Sequence, residues 1–337
     1  MDICLIVPGP LATVSGGHTY DRRMADGLRA SGHDVHVVEL DGRLPDPDQA
    51  AIYAARTVWS GLPADAARLI DGLALPAFAG LPLHRVTALI HHPASLETGL
   101  PDDTVRRLRA TEVEMFRDMP RFVVTSQQTA ERLIQEFGPP PDRITAVIPG
   151  IDDLPRCPGS DGPDCQILSV GALIPRKGHD VLLRALSRLF DLDWQLTIAG
   201  SPERDPVHAN GLSALAEQLR IARRVRFVDE ATDALWMGAD LFALTSYFEG
   251  YGVAIAEALR RGLPVAASSV GAVPTMVRPE AGVVCAPGDV EQFSKALRRL
   301  IFDQPLRRDM AEVAWLSGRT LPSWNEQAAH LAAILAG

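Results

Sequence analysis

The sequence predicts a parallel α/β protein of two domains, on three observations. Short β-branched apolar runs alternate with longer helix-period segments along the chain, as in sheets whose strands are joined by helices. The chain has 337 residues, whereas single hydrophobic cores usually stop growing at about 250. A Pro-, Gly- and Asp-rich stretch at residues 152–165 separates two such series and predicts a linker.

Each series is read in chain order from runs that Gly, Pro or His interrupt. The first series predicts helices at 18–31 and 104–118 and strands at 3–7, 34–38, 86–90, 122–125 and 144–148. The second predicts helices at 178–190, 211–222, 253–261 and 289–302 and strands at 166–170, 194–199, 225–228, 241–244, 264–267 and 283–285. Open α/β sheets bind ligands at the carboxyl ends of their strands, so we expect the site between the domains, in loops that follow strands.

Composition narrows the class of protein. Apolar residues make up 47% and charged residues 22%, which is typical of a globular domain, and the net charge of −9 disfavours nucleic acid as a partner. The four cysteines form no CxxC pair, so neither a zinc site nor a disulfide scaffold is expected. With no secretory pattern and no long apolar span, we expect a cytoplasmic enzyme or binding protein.

The first candidate loop contains Gly16 and Gly17, between the opening strand and a helix. Paired glycines let the backbone approach a ligand, and N–H groups at a helix amino terminus attract phosphate. The G-x-G-x-x-G and Walker A patterns are absent, so a dinucleotide site loses its main support. A tight turn is an equally good interpretation of this loop alone.

The second candidate loop runs over residues 171–178 and contains Arg176 and Lys177 before Gly178. Two cations beside the glycine that opens a helix would attract a diphosphate. Only Lys177 and Lys295 are lysines among 33 Lys and Arg residues, so a lysine here suggests that a compact ammonium is wanted. The alternative is a solvated surface loop.

The third candidate loop follows a strand that ends at Thr245. Glu249 is predicted in the loop and Glu257 in the second turn of a helix that begins near Gly252. Carboxylates accept hydrogen bonds from sugar hydroxyls, and the glycine turn can hold phosphate, which together suit a nucleotide sugar. Alternatively, Glu249 stabilises the helix dipole and Glu257 is a solvated helix residue.

Together these segments resemble the retaining family 4 glycosyltransferases of the GT-B fold. The family pattern S-x-x-E-G-[FY]-G-x-x-x-x-E-A is matched by Ser246, Glu249, Gly250, Tyr251, Gly252, Glu257 and Ala258. The resemblance implies two Rossmann-like domains that face each other across a cleft. It assigns residues 1–151 to acceptor binding, 152–320 to nucleotide-sugar binding and 321–337 to a helix that crosses back to the first domain.

The resemblance also implies roles for single residues. Glu257 would bind the nucleotide ribose, and Glu249 would lie near the donor sugar. Lys177 and Arg176 would neutralise the diphosphate. The remaining donor-binding positions that it implies are Gly16, Gly17, Gly250, Tyr251, Gly252 and Val253. Many members have arginine where Ala172 stands, so Arg176 would have to compensate.

Acceptor chemistry is less marked in the sequence. His91 and His92 end a predicted strand and resemble the family's histidine loop, and either is a candidate catalytic residue beside Lys177 and Glu249. The preceding strand-end position, which often holds histidine, is Asp71 here. An ordinary hydrogen-bonded histidine is the alternative.

The expected activity is metal-independent transfer of a sugar, a hexose by resemblance, from a nucleotide-diphosphate donor to a hydroxyl with retention. No cofactor is expected. The acceptor would be a saccharide, a lipid or a small molecule. The alternatives are another GT-B enzyme, either a phosphorylase or an epimerase, or a non-catalytic binder. A membrane contact through Arg106, Arg107 and Arg109 competes with an ordinary solvated helix face.

Overall fold

A computed structural model describes residues 1–13, 15–97 and 100–337. The chain forms two compact units, one made of residues 1–150 with 322–337 and the other of residues 151–321. Each unit contains one six-stranded parallel sheet with helices between its strands, so the predicted fold class of two Rossmann-like domains is confirmed. In the described residues, no helix is both long enough and apolar enough to span a bilayer.

The sheet of the first unit has the strand order β2-β1-β3-β4-β5-β6. Its strands are β1 (Asp2–Pro8), β2 (Asp34–Leu40), β3 (Ala67–Asp71), β4 (Val86–Ile90), β5 (Arg121–Val124) and β6 (Ile144–Ala146). Its helices are α1 (Gly16–Ala30), α2 (Gln49–Gly61), α3 (Asp102–Asp118), α4 (Gln127–Phe137) and, from the end of the chain, α12 (Trp324–Ala336).

Helix α12 completes the first unit by packing on α1. A Cβ on Gly27 of α1 would lie 2.6 Å from the Ala328 side chain, so only a glycine allows this approach. Trp324 meets Tyr20 edge-on at 6.0 Å between ring centroids. Ser323 and Glu326 form a reciprocal capping box that fixes where α12 begins. Residues at the two ends of the chain therefore share one apolar core.

The sheet of the second unit has the order β12-β11-β10-β7-β8-β9. Its strands are β7 (Cys165–Val170), β8 (Trp194–Ala199), β9 (Val225–Val228), β10 (Leu241–Leu244), β11 (Val265–Ser268) and β12 (Gly282–Cys285). Its helices are α5 (His179–Ser187), α6 (Pro206–Gln218), α7 (Asp233–Met237), α8 (Val253–Arg260), α9 (Val273–Met276), α10 (Val290–Phe302) and α11 (Gln304–Gly318).

The sequence pattern located the buried strands well and missed elements with weaker patterns. Strand β3 was missed because Arg68 and Asp71 interrupt a run of only five residues, which nevertheless lies between β1 and β4. Helices α2, α4, α7, α9 and α11 were also missed. Two of them, α7 and α9, are single short turns of five and four residues, which lack a readable period.

Candidate active site

In the second unit, the loops after β7 and β10 are joined at Gly178, the residue before α5. Gly178 has φ +62°, and a Cβ there would lie 2.1 Å from the Thr245 carbonyl oxygen. The Thr245 hydroxyl donates to the Gly178 carbonyl at 2.7 Å. Only glycine combines this backbone conformation with so close a neighbour. The two candidate loops therefore form one structure.

Lys177 and Glu249 meet at this junction. The Lys177 ammonium lies 2.6 Å from Glu249 Oε1, which also accepts a hydrogen bond from the Ser246 hydroxyl at 2.7 Å. Both charged side chains are largely buried, at 15% and 9% exposure. Burial opposes ionisation of Glu249, but the positive charges of Lys177 and Arg176 outweigh it and lower its pKa. The junction therefore holds the Lys177 ammonium and the Glu249 carboxylate in direct contact.

Arg176 contributes to the same junction mainly through the backbone. Its guanidinium donates to the Phe248 carbonyl at 2.8 Å, and its own carbonyl accepts from the Tyr247 amide at 2.8 Å. The guanidinium carbon lies 5.9 Å from the Phe248 ring centroid. Arg176 and Lys177 are thus brought together as expected, with Arg176 bracing the loop that contains Glu249.

The remaining predicted donor residues form the turn into α8. Gly252 precedes the helix with φ +91°, and no side chain caps the first N–H groups. Val253 is the first helical residue, and Glu257 lies one turn further and is half-buried. Tyr251 is buried, and burial raises the pKa of its phenol to about 12. The turn therefore presents backbone donors that no side chain caps, between Glu249 and Glu257 in the sequence.

His179, the first residue of α5, is a supporting residue that sequence reasoning did not identify. It is fully buried, and its Nε2 lies 3.2 Å from the Gly171 carbonyl oxygen. Burial lowers the pKa of His179 to about 4, with a smaller contribution from Lys177. The ring is therefore neutral at pH 7. Its contact with the Gly171 carbonyl supports the loop after β7. The signal available in the sequence was a histidine directly after Lys177 and Gly178.

In the first unit, the predicted Gly16 and Gly17 begin α1. The Ser15 hydroxyl accepts from the His18 amide at 3.2 Å and caps the helix. Open space surrounds Gly16, whereas a Cβ on Gly17 would lie 3.2 Å from the His91 ring. The glycine loop therefore lies directly beside the histidine at the end of β4.

His91 is held between two buried carboxylates. Its Nε2 lies 3.2 Å from both Asp21 Oδ1 and Asp71 Oδ2, and the Tyr20 ring meets it edge-on. Burial opposes the charge on His91, but Asp21 and Asp71 outweigh this effect and raise its pKa to about 10. Burial also raises the pKa of Asp21. At pH 7 the ring is a cation with two acidic partners, in the arrangement called here the Asp-His-Asp group.

His92, the other candidate, is in a different environment. Its Nε2 lies 2.8 Å from Glu97 Oε2. Glu112, reaching from α3, lies behind this loop and accepts from the Ala94 and Ser95 amides at 2.5 and 3.1 Å. Burial is the main reason that the pKa of Glu112 is raised. His91 is therefore the histidine that packs against the glycine loop.

Sequence reasoning missed Asp21 and Glu112 and did not assign a role to Asp71. Asp21 lies four residues after Gly17 on a helix, and Glu112 lies mid-helix among other charged residues, so neither has a local signature. Asp71 had a signal, because it is a charged residue at the end of a buried strand.

Two groups in the described residues have metal-ligating atoms close together. Asp21, Asp71 and His91 offer one such atom each within 4.8 Å, and so do Asp2, Asp34 and His36 at the surface. The hydrogen-bond distances of the Asp-His-Asp group also suit a protonated ring without a metal.

The helix face considered for membrane contact is engaged in ion pairs. Arg107 pairs with Asp46 and Asp103, and Arg109 pairs with Glu136. Arg107 and Arg109 thus have carboxylate partners within the protein, and contact of this face with a membrane stays a prediction.

Two Rossmann-like units in one chain, with glycines and charged side chains in the loops after their strands, are typical of the GT-B class of proteins. Residues 151–315 match the family described as glycosyl transferases group 1. The chain is 29% identical over 260 residues to D-inositol 3-phosphate glycosyltransferase of Corynebacterium glutamicum, covering 71% of this chain and 62% of that protein. It is 30% identical over 279 residues to the Thermomonospora curvata protein of that name, covering 74% and 64%. The match thus spans slightly under two thirds of the length of these relatives.

Solved structures show the same fold. Sucrose-phosphate synthase from Thermosynechococcus elongatus superposes with a TM-score of 0.82 at 18% identity, covering 99% of this chain and 98% of that one. HepE of Anabaena, solved in complex with UDP and glucose, gives 0.79 at 17% identity and covers all of both chains. The chain belongs to the family 4 glycosyltransferases of the GT-B fold, as its sequence motifs indicated.

Proposed function

We propose that the protein transfers a sugar from a nucleotide-diphosphate donor to an acceptor hydroxyl with retention of configuration. The observation that carries this proposal is the junction of Lys177, Glu249 and Ser246 beside the uncapped amino terminus of α8. A diphosphate needs cations and backbone donors, and a sugar needs hydroxyl-binding carboxylates. The family membership and the UDP complexes of HepE agree with this ligand.

The residues divide into a donor group and an acceptor group. Lys177, Arg176 and the N–H groups after Gly252 would hold the diphosphate. Glu257 would bind the ribose, and Glu249 would orient both Lys177 and the sugar. His91 would lie on the acceptor side. None of these roles requires a covalent bond to the protein, so positioning and charge stabilisation supply the catalysis.

The proposed reaction takes place on one face of the sugar. The bond between the anomeric carbon and the diphosphate oxygen breaks as negative charge grows on the leaving phosphate. The acceptor hydroxyl attacks the same face, and its proton passes to a phosphate oxygen. Lys177 and the helix amino terminus stabilise that charge, which is the task that a metal performs in other transferases. The reaction would proceed without a metal or cofactor.

Donor binding is tested first with a panel of UDP-, GDP- and ADP-sugars. A ligand that binds only the folded protein raises its stability by about 2.7 kcal/mol at 100 times its Kd, which a thermal-shift assay detects. We expect one nucleotide to stabilise the protein and its sugar to be released or transferred. No response to any nucleotide sugar would overturn the proposal.

Reaction type is tested next by product analysis. NMR of the product should show the donor's anomeric configuration, and activity should persist in EDTA. Inversion would contradict the one-face reaction, and loss of activity in EDTA would contradict metal independence. Sugar 1-phosphate formed from free phosphate indicates a phosphorylase, an altered nucleotide sugar indicates an epimerase, and binding without hydrolysis or transfer indicates a non-catalytic binder.

A further inference from the structure

The strand ends of the first unit contain more negative than positive charge around His91. Asp21 and Asp71 are 1% and 2% exposed, and both contact the same nitrogen of the ring. Two carboxylates thus share one imidazole in a setting of low solvent exposure, so acidic groups outnumber basic groups within this contact. An anion placed beside this group would meet repulsion that water screens poorly.

The backbone donors of the neighbouring loop are already used. The amides of Ala94 and Ser95, which follow the His91-His92 strand end, both donate to Glu112. Consecutive N–H groups at a turn are a common seat for phosphate in proteins. Here the carboxylate of Glu112, which is 2% exposed, accepts from these N–H groups in place of a phosphate.

The arginines described nearest these strand ends have partners of their own. Arg22 donates to the Leu11 carbonyl at 2.5 Å and so braces the loop after β1. Arg43 and Arg107 both bind the Asp46 carboxylate. Each guanidinium therefore already has an oxygen partner within the protein, in Arg43 and Arg107 as part of a surface ion pair.

We infer that the acceptor is a polyhydroxyl compound without a phosphate or other anionic group, either uncharged or bearing an amine. The inference rests on the proposed function and specifies its substrate class. The inferred acceptor differs from that of the relatives, which are named as glycosyltransferases of D-inositol 3-phosphate, a phosphorylated inositol. Hydroxyl and ammonium groups can bind beside a net negative site, whereas a phosphate would need donors that Glu112 and the carboxylates already occupy.

Acceptor sets matched in skeleton and different in charge test the inference. One set is myo-inositol, an aminodeoxyinositol and inositol 3-phosphate, and the other is glucose, glucosamine and glucose 6-phosphate. The full-length protein receives the donor found in the nucleotide screen, and mass spectrometry measures transfer. We expect kcat/KM for the parent or amine to exceed that for the phosphate ester by about tenfold or more in at least one set.

Two variants connect that preference to the structure. Glu112→Gln removes the carboxylate and replaces one of its two acceptor oxygens by an amide nitrogen, which releases one backbone donor, and Asp71→Asn removes one carboxylate from the Asp-His-Asp group. Each variant should reduce the ratio of kcat/KM for the parent or amine to kcat/KM for the phosphate ester several-fold. Glu114→Gln, an exposed residue on the same helix, is the matched control and should leave it unchanged. A purely structural role for Glu112 or Asp71 would lower stability without changing the ratio.

The outcomes separate this inference from the proposed function. A phosphate ester used as well as its parent would overturn the inference while leaving donor chemistry intact. A panel in which nothing accepts sugar, although the donor is hydrolysed, would count against the polyol class. A protein that binds no nucleotide sugar would instead refute the proposed function.

Discussion

The two units present strand-end sites of opposite design. In the second unit, the positive charges of Lys177 and Arg176 lower the pKa of the Glu249 carboxylate, a helix without a side-chain cap follows the same loop, and the nearby His179 is neutral. In the first unit, two buried carboxylates surround one cation, and His91 is that cation. One sheet architecture thus carries two different charge arrangements, one suited to the proposed anionic donor and the other to the proposed acceptor without anionic groups. The difference lies in the side chains at the strand ends, in the loops that follow them and on helix α1.

The largest expected effect tests the cationic side of this comparison. Lys177→Ala should lower turnover by about 10² or more, because the growing charge on the leaving phosphate loses its ammonium. Steady-state kinetics with the identified donor measures the change. Lys295→Ala is a matched control, because Lys295 is the other lysine and is 75% exposed in a surface pair with Glu291. Turnover close to that of wild type in Lys177→Ala would contradict the role.

The next effect concerns the glycine that joins the donor loops. Gly178→Ala should destabilise the protein by about 2 kcal/mol or more, since its φ is +62° and the added Cβ would collide with the Thr245 carbonyl. Urea unfolding measures the loss. Gly162→Ala, where no atom lies within 4 Å of the added carbon, should cost far less. Equal losses in both variants would argue against a rigid junction.

A smaller effect separates donor from acceptor binding. Glu257→Ala should weaken nucleotide affinity about tenfold, which corresponds to the loss of one or two charge-assisted hydrogen bonds. Calorimetry with the nucleotide diphosphate measures the affinity. His91→Gln, in the first unit, should leave that affinity unchanged. Unchanged affinity in Glu257→Ala would refute the ribose assignment.

A further contrast comes from the pH dependence of stability, where the two histidines should differ in sign. The pKa of folded His91 is about 10, above the ordinary 6.5, so its stabilisation is complete below pH 6.5 and is lost as pH rises towards 10. The pKa of folded His179 is about 4, so stability falls as pH drops from 6.5 to 4, because only the unfolded chain takes up the proton.

Urea midpoints at pH 5, 7 and 9 for His91→Gln and His179→Gln measure this contrast. The penalty of His91→Gln should shrink at high pH, and that of His179→Gln should shrink at low pH. The same slope for both variants would show that the two sites do not differ in charge as described.

The sequence by itself determined the fold class and most strands, and it identified most residues of the candidate donor site. This was possible because Lys177, Glu249 and Glu257 stand in contiguous loops with glycines at fixed spacing, and loop chemistry is a local property. It also placed His91 and His92 at a strand end. It did not distinguish between them, since that choice depends on neighbours distant in the chain.

Only the tertiary structure decided the chemistry of the first unit. Asp21 lies on α1, Asp71 ends β3 and His91 follows β4, and they meet because β1, β3 and β4 are neighbours in the sheet. No pattern predicted strand β3, and although the family resemblance placed Asp71 at a strand end, nothing in the sequence put its carboxylate beside Asp21. Charge and burial depend on which strands pair, and for parallel strands that pairing joins segments separated by whole helices.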